Sequence, residues 1–145
     1  MKRASPRQKA EIIRRSQGYC DYCLSSMHYS PDTFSAEHII PSSRGGKTEV
    51  DNLALSCQGC NNIKYKRVSG LDPVTGQTVP LYNPRQDKWV EHFTWSNDLT
   101  LLLGLTPTGR ATVELMQLNR TGVVNLRQLL LLAHKHPAMV LMRES

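Results

Sequence analysis

The chain has 145 residues, a formal net charge of +6 and a pI near 9.4, which bounds it at one domain or one domain with an appendage. Its longest Leu-rich run, Leu129 to Leu132, is far too short to span a bilayer, so no membrane association is expected. No charged-then-apolar leader is visible at Met1-Lys2-Arg3, so a cytoplasmic protein with reduced cysteines is expected.

The charge is uneven. Residues 1–67 hold eleven Lys/Arg against six Asp/Glu, whereas residues 68–145 hold seven against six. A basic surplus in one half suits a polyanionic partner, nucleic acid first, with a solvated basic face as the plainer alternative.

In chain order, residues 1–19 are expected to form a basic helix from about 6 to 16. Ser5 would cap it, Pro6 would occupy its first turn, Ile12 and Ile13 would pack, and Gly18 would stop it. Tyr19 to Cys23 reads as a knuckle presenting two sulfurs. Residues 33–40 read as a strand ended by Pro41, Gly45-Gly46 as a loop tip, Leu53 to Ser56 as a return strand, and 58–67 as a short helix. Residues 68–88 are turn-rich and expected to be irregular. A hairpin is expected over Trp89 to Thr106, then a helix behind Thr106-Pro107, then a helix over about 123–135 with Val124, Leu126, Leu129, Leu130 and Leu132 as burial candidates. The domains expected are thus a helix at 1–19, a core at 20–67 and an extension at 68–145, in a small α+β fold. His134 and His136 read as surface residues.

All four cysteines fall into two doublets, Cys20-x-x-Cys23 and Cys57-x-x-Cys60, with thirty-three residues between them. A Cys-x-x-Cys turn aims two thiolates at one point, and two such turns close a four-sulfur tetrahedron with no open position. A structural Zn2+ is expected, its binding energy serving as folding energy. A disulfide suits the expected reducing compartment poorly, and a redox doublet normally comes singly.

Glu37-His38 precedes Pro41. Successive strand residues face opposite sides, so both serve one site only if the strand ends or bulges there. A carboxylate beside a neutral imidazole supplies a hard ligand for Mg2+ or Mn2+ and a general base for water; Asn61, directly after Cys60, supplies another hard oxygen. Taken alone, His38 would more often be a half-buried histidine beside a capping acid.

Together with the cysteines, Glu37-His38, Asn52 within Asp51-Asn52-Leu53, and Asn61 make the stretch from Cys20 to Arg67 resemble the HNH endonuclease family, whose fold is the zinc-stapled ββα-metal finger. The resemblance implies that His38 takes a proton from water and that Glu37 and Asn61 hold one divalent cation at the scissile phosphate. It implies that Asn52 fixes the loop orienting His38. Glu at the first motif position and Asn at the third depart from the commoner Asp or His and His. DNA is the substrate the resemblance implies, with weak sequence preference. Lys64, Lys66 and Arg67 on the short helix, with Arg44 and Lys47 on the Gly-rich loop, are candidate phosphate contacts; Arg85 and Lys88 are weaker ones. Two other readings stand beside the nuclease: a zinc-stapled nucleic-acid-binding module without catalysis, and a nuclease recruited by a protein partner or second copy docking on the C-terminal helices.

Overall fold

Helix α1 spans Pro6–Ser16. Ser5 Oγ accepts from Gln8 N while the Gln8 side chain accepts from Ser5 N, closing a capping box around Pro6 in the first turn. The helix stops where Gln17 turns left-handed at φ 56°, with Gly18 following at φ 80°. Ile12 is buried and Ile13 half-buried, whereas Arg7 and Arg14 face solvent.

The protein is described by a computed structural model covering residues 3–138. These divide into two units. One ends at Val68 and also takes in Asn83–Gln86; the other holds Ser69–Tyr82 and the chain from Asp87 on.

In the first unit, β1 (Ser35–His38) pairs antiparallel with β2 (Leu53–Ser56), Glu37 opposite Ala54 and His38 opposite Leu53. Helix α2 (Gln58–Lys64) follows directly, which makes the order ββα. Every residue of β2 is buried. Phe34, Leu53, Leu55 and Ile12 form the packed layer between α1 and the hairpin, each contributing about 1.5–3 kcal/mol of transfer free energy. Arg15, one of the basic residues of α1, reaches inward: Nη1 donates to Val50 O and Nη2 to Leu53 O. Arg85 likewise pairs with Asp21 at 3.1 Å, so that candidate phosphate contact is committed within the protein.

In the second unit, the stretch expected to be irregular holds a hairpin, β3 (Ser69–Leu71) with β4 (Thr78–Pro80). Its organiser is the enclosed Asp72 carboxylate, which accepts from Arg110 Nε and Nη2, from Val74 N, and from Thr75 N and Oγ1. The Arg110 guanidinium above all holds this carboxyl well below the usual range. The expected strand from Val90 begins instead as one helical turn, α3 (Trp89–His92), before β5 (Phe93–Trp95) pairs with β6 (Leu102–Gly104). The turn sets Trp89 and Phe93 on one side, their rings 5.8 Å apart.

Helix α4 (Pro107–Leu115) is capped by Thr106 Oγ1, which accepts from Gly109 N. It meets α3 and β6 at backbone contact: a Cβ on Gly109 would lie 2.1 Å from His92 O, and one on Gly104 would lie 2.4 Å from Arg110 N. Helix α5 (Thr121–Leu132) buries Val123, Arg127 and Leu130. Leu129 and Leu132, expected to be buried, are 65% and 80% exposed. The reason is Arg127, which turns inward to donate to Thr100 O, Leu118 O and Asn119 Oδ1 beneath the Trp95 ring. His136, read as a surface residue, packs edge-on against Trp95 at 4.6 Å. Among the described residues no helix is long and apolar enough to cross a membrane.

Candidate functional site

The first cysteine pair lies on a tight turn. Cys20 N donates to Ser25 O, Leu24 N donates to Cys20 O, and Tyr19 bridges Ser26. The second pair opens α2, where Cys57 is the cap and its sulfur accepts from Cys60 N. Asp21 ties the knuckle to β2, its N donating to Leu55 O and its carboxylate accepting from Leu55 N. The four Sγ atoms lie within 4.8 Å of one another, and Cys23 and Cys57 are 3.6 Å apart. Zinc–sulfur bonds of about 2.3 Å in a tetrahedron set sulfurs roughly 3.8 Å apart. The spacing therefore fits zinc, and all four thiols are free of disulfides. Contacts with Cys20 and Cys57 pull the Cys23 thiol down, while burial pushes Cys20 up. Four enclosed thiolates need a cation to coexist.

An open cleft of ≈390 Å3 is lined by Glu37, His38, Asn61 and Tyr65 among others. β1 ends at His38, and both members of the Glu37-His38 pair reach the same cleft although they are neighbours on a strand. The His38 Nε2 lies 2.9 Å from Thr48 Oγ1. Thr48 is itself held through its carbonyl, which accepts from Gln8 Nε2 of α1. Burial first, and the Lys64 ammonium second, hold His38 below the usual imidazole value, so the ring is neutral at pH 7.

Asn52 does not line the cleft. Its side chain behaves as a second backbone: Oδ1 accepts from Ile40 N, and Nδ2 donates to Ile40 O and Lys47 O. That closes the loop carrying Thr48. Gly46 completes the closure, because a Cβ there would fall 1.7 Å from Ile40 O. Gly46→Ala is expected to displace the loop, at a cost of at least about 1–3 kcal/mol, and to separate Thr48 from His38. Chemical denaturation checks the first effect and an amide NMR map of residues 40–52 the second; wild-type values for both would refute the expected close contact.

Lys64 departs most from its expected place. It is 1% exposed, and its Nζ donates to Glu37 Oε1 at 2.6 Å, to Ile39 O at 2.9 Å and to His38 O at 3.4 Å. It therefore faces the underside of the site rather than a phosphate. The other Glu37 oxygen accepts from Tyr22 Oη at 2.9 Å. Burial raises the Glu37 carboxyl, opposed by Lys64 and Tyr22.

A carboxylate accepts about four hydrogen bonds, so Glu37 keeps acceptor capacity beyond Lys64 and Tyr22. Glu37 and Asn61 are hard oxygen donors of the kind that suit Mg2+ or Mn2+, with water and phosphate completing the shell. Arg44, Lys47, Lys66 and Arg67 are exposed, and Arg44 Nε donates to Lys66 O, which fastens the loop to the end of α2. Thr48, Gln8 and Tyr22 carry no local pattern that marks them; their roles arise from contacts of ten to forty residues' separation.

The fold and site define a small α+β protein whose ββα finger is closed by a four-cysteine cluster consistent with zinc. Compared with known families, residues 20–67 match the one described as HNH endonuclease. The likeness is to a nuclease-type fold and covers about a third of the chain. A search of curated proteins found no match.

Proposed function

We propose that the protein is a divalent-cation-dependent endonuclease that hydrolyses DNA phosphodiester bonds, with His38 as general base. The observation that carries this reading is the convergence of the His38 imidazole, set against Thr48, with Glu37 and Asn61 on one open cleft. In the tautomer whose Nε2 donates to Thr48 Oγ1, Nδ1 keeps its lone pair and takes the proton from the attacking water. Glu37 and Asn61 are the residues that would hold Mg2+ or Mn2+, which when bound supplies charge stabilisation to the phosphate and the leaving oxygen. Lys64 fixes Glu37 from beneath, and Asn52 fixes the loop behind His38. Arg44, Lys47, Lys66 and Arg67 contact the phosphate backbone, so binding weakens steeply with salt. The family match supports a nucleic-acid substrate; DNA is the choice within that class.

The test is cleavage of supercoiled plasmid by the zinc-loaded protein with Mg2+ or Mn2+. Nicked and linear products are expected from the wild type. His38→Ala is expected to slow their formation by on the order of 10^2- to 10^4-fold while leaving DNA binding unchanged. Equal cleavage by His38→Ala would remove the base assignment, and no cleavage by the wild type would leave a binding module.

A further inference from the structure

Tyr65 sits where a hydrophobic ring has least structural reason to sit. It follows the last residue of α2, with its N donating to Asn61 O. Its backbone adopts φ 50°, ψ −118°, a conformation that a glycine reaches freely and a bulky side chain does not. Such strain is ordinarily offset by packing, yet the Tyr65 side chain is presented to solvent, the residue being 68% exposed. Holding a ring in strained backbone at a cleft is the pattern of a functional constraint. The ring belongs to the same cleft as Glu37, His38 and Asn61.

The surroundings keep it there. Helix α2 is anchored at its start by Cys57 and Cys60, and beyond Tyr65 the chain is fastened by Arg67 N donating to Lys64 O and by Arg44 Nε donating to Lys66 O. Lys66 Nζ stands 5.3 Å from the ring centroid and also lines the cleft. An exposed aromatic ring with a cation over one face is the combination that binds unpaired nucleic acid: the base stacks on the other face and the adjacent phosphate meets the charge. In an intact duplex both faces of each base are already covered by its neighbours, so a ring can stack only on a base that is unpaired or unstacked.

We propose that Tyr65 is a stacking platform for an unpaired nucleobase next to the scissile phosphate, which makes single-stranded or locally unpaired nucleic acid the preferred substrate of this cleft. The inference rests on the nuclease reading of the same site. It deepens that reading by naming the substrate class.

The probe is a short oligonucleotide carrying one 2-aminopurine, either single-stranded or annealed into a full duplex. It is titrated with the zinc-loaded full chain without Mg2+ or Mn2+, so that binding is read without cleavage. Quenching is expected with the single strand and not with the duplex. Tyr65→Ala is expected to weaken single-strand affinity by roughly 5- to 150-fold and duplex affinity by less than about twofold, whereas Tyr65→Phe keeps wild-type affinity. Tyr65→Gly relieves the backbone strain and should melt no lower than the wild type, so its matching loss of affinity cannot come from misfolding. Wild-type single-strand affinity in Tyr65→Ala, an equal loss on duplex, or a loss in Tyr65→Phe as large as in Tyr65→Ala would each overturn the proposal. Plasmid cleavage separates the two readings. Cleavage with unaltered single-strand affinity in Tyr65→Ala removes the platform and keeps the nuclease. Tyr65-dependent quenching without cleavage keeps the platform and removes the nuclease.

Discussion

Cys57→Ser is expected to leave the first unit without a stable fold. Cys57 follows β2, caps α2 and contributes one of the four sulfurs, so the change opens the four-cysteine cluster where strand and helix meet. The unit has a small packed layer and no disulfide, and domains of that size need a staple. Structural zinc contributes about 10–16 kcal/mol of apparent binding energy in zinc-finger peptides, as much as the whole stability of a typical domain. Zinc chelation of the wild type should act as the substitution does. Amide hydrogen exchange over Leu53–Ser56 reads the first unit. Both tryptophans, Trp89 and Trp95, lie in the second unit, so their fluorescence reads that unit separately. The expected result is lost protection in β2 with little change in tryptophan emission. Unchanged protection in β2 for Cys57→Ser would show that the cysteines do not hold the fold.

The second large effect is expected from Lys64→Met. Removing the ammonium leaves Glu37 enclosed without its charge partner, so that burial drives it to take up a proton, and breaking a buried pair on one side costs about 3–5 kcal/mol. It also removes donors to Ile39 O and His38 O, where β1 ends at the cleft. Replacing both charges by apolar groups is often neutral or stabilising, so Glu37→Leu/Lys64→Met should recover most of the stability. Cleavage should be absent from both variants, because the double variant regains the fold without regaining the carboxylate. Urea denaturation gives the stability and plasmid nicking the activity. A double variant as unstable as Lys64→Met would mean that the pair's geometry, and not its charge, holds the site. A double variant that cleaves normally would remove Glu37 from the machinery.

The cleft also shows why one residue is read wrongly from sequence and another goes unremarked. Lys64 lies three positions from Asn61, which makes it look like a phosphate contact on the same helix face. Its long stem can instead run along the core and deliver its charge inside. Tyr65 looks unremarkable as a residue type, and only its backbone angle and exposure give it meaning.

What the sequence by itself determined is local or covalently spaced. The two Cys-x-x-Cys doublets determine the four-cysteine cluster, because each turn places its sulfurs within a few residues. The return strand Leu53–Ser56 appears as expected, and α1 and α4 start at the capping residues that announce them, because caps act over three or four positions. Glu37-His38, Asn52 and Asn61 are likewise legible as a set because they keep their spacing from the cysteines. Only the tertiary structure decided the rest. Thr48 orients His38, Gln8 holds Thr48, and Tyr22 and Lys64 bracket Glu37; each of these contacts joins residues ten or more positions apart. In the second unit, Arg127 and Asp72 bury charge where pattern predicts leucine or loop, because each finds enough hydrogen-bond partners to be enclosed. Such partners come from several elements at once, so no window of sequence contains them.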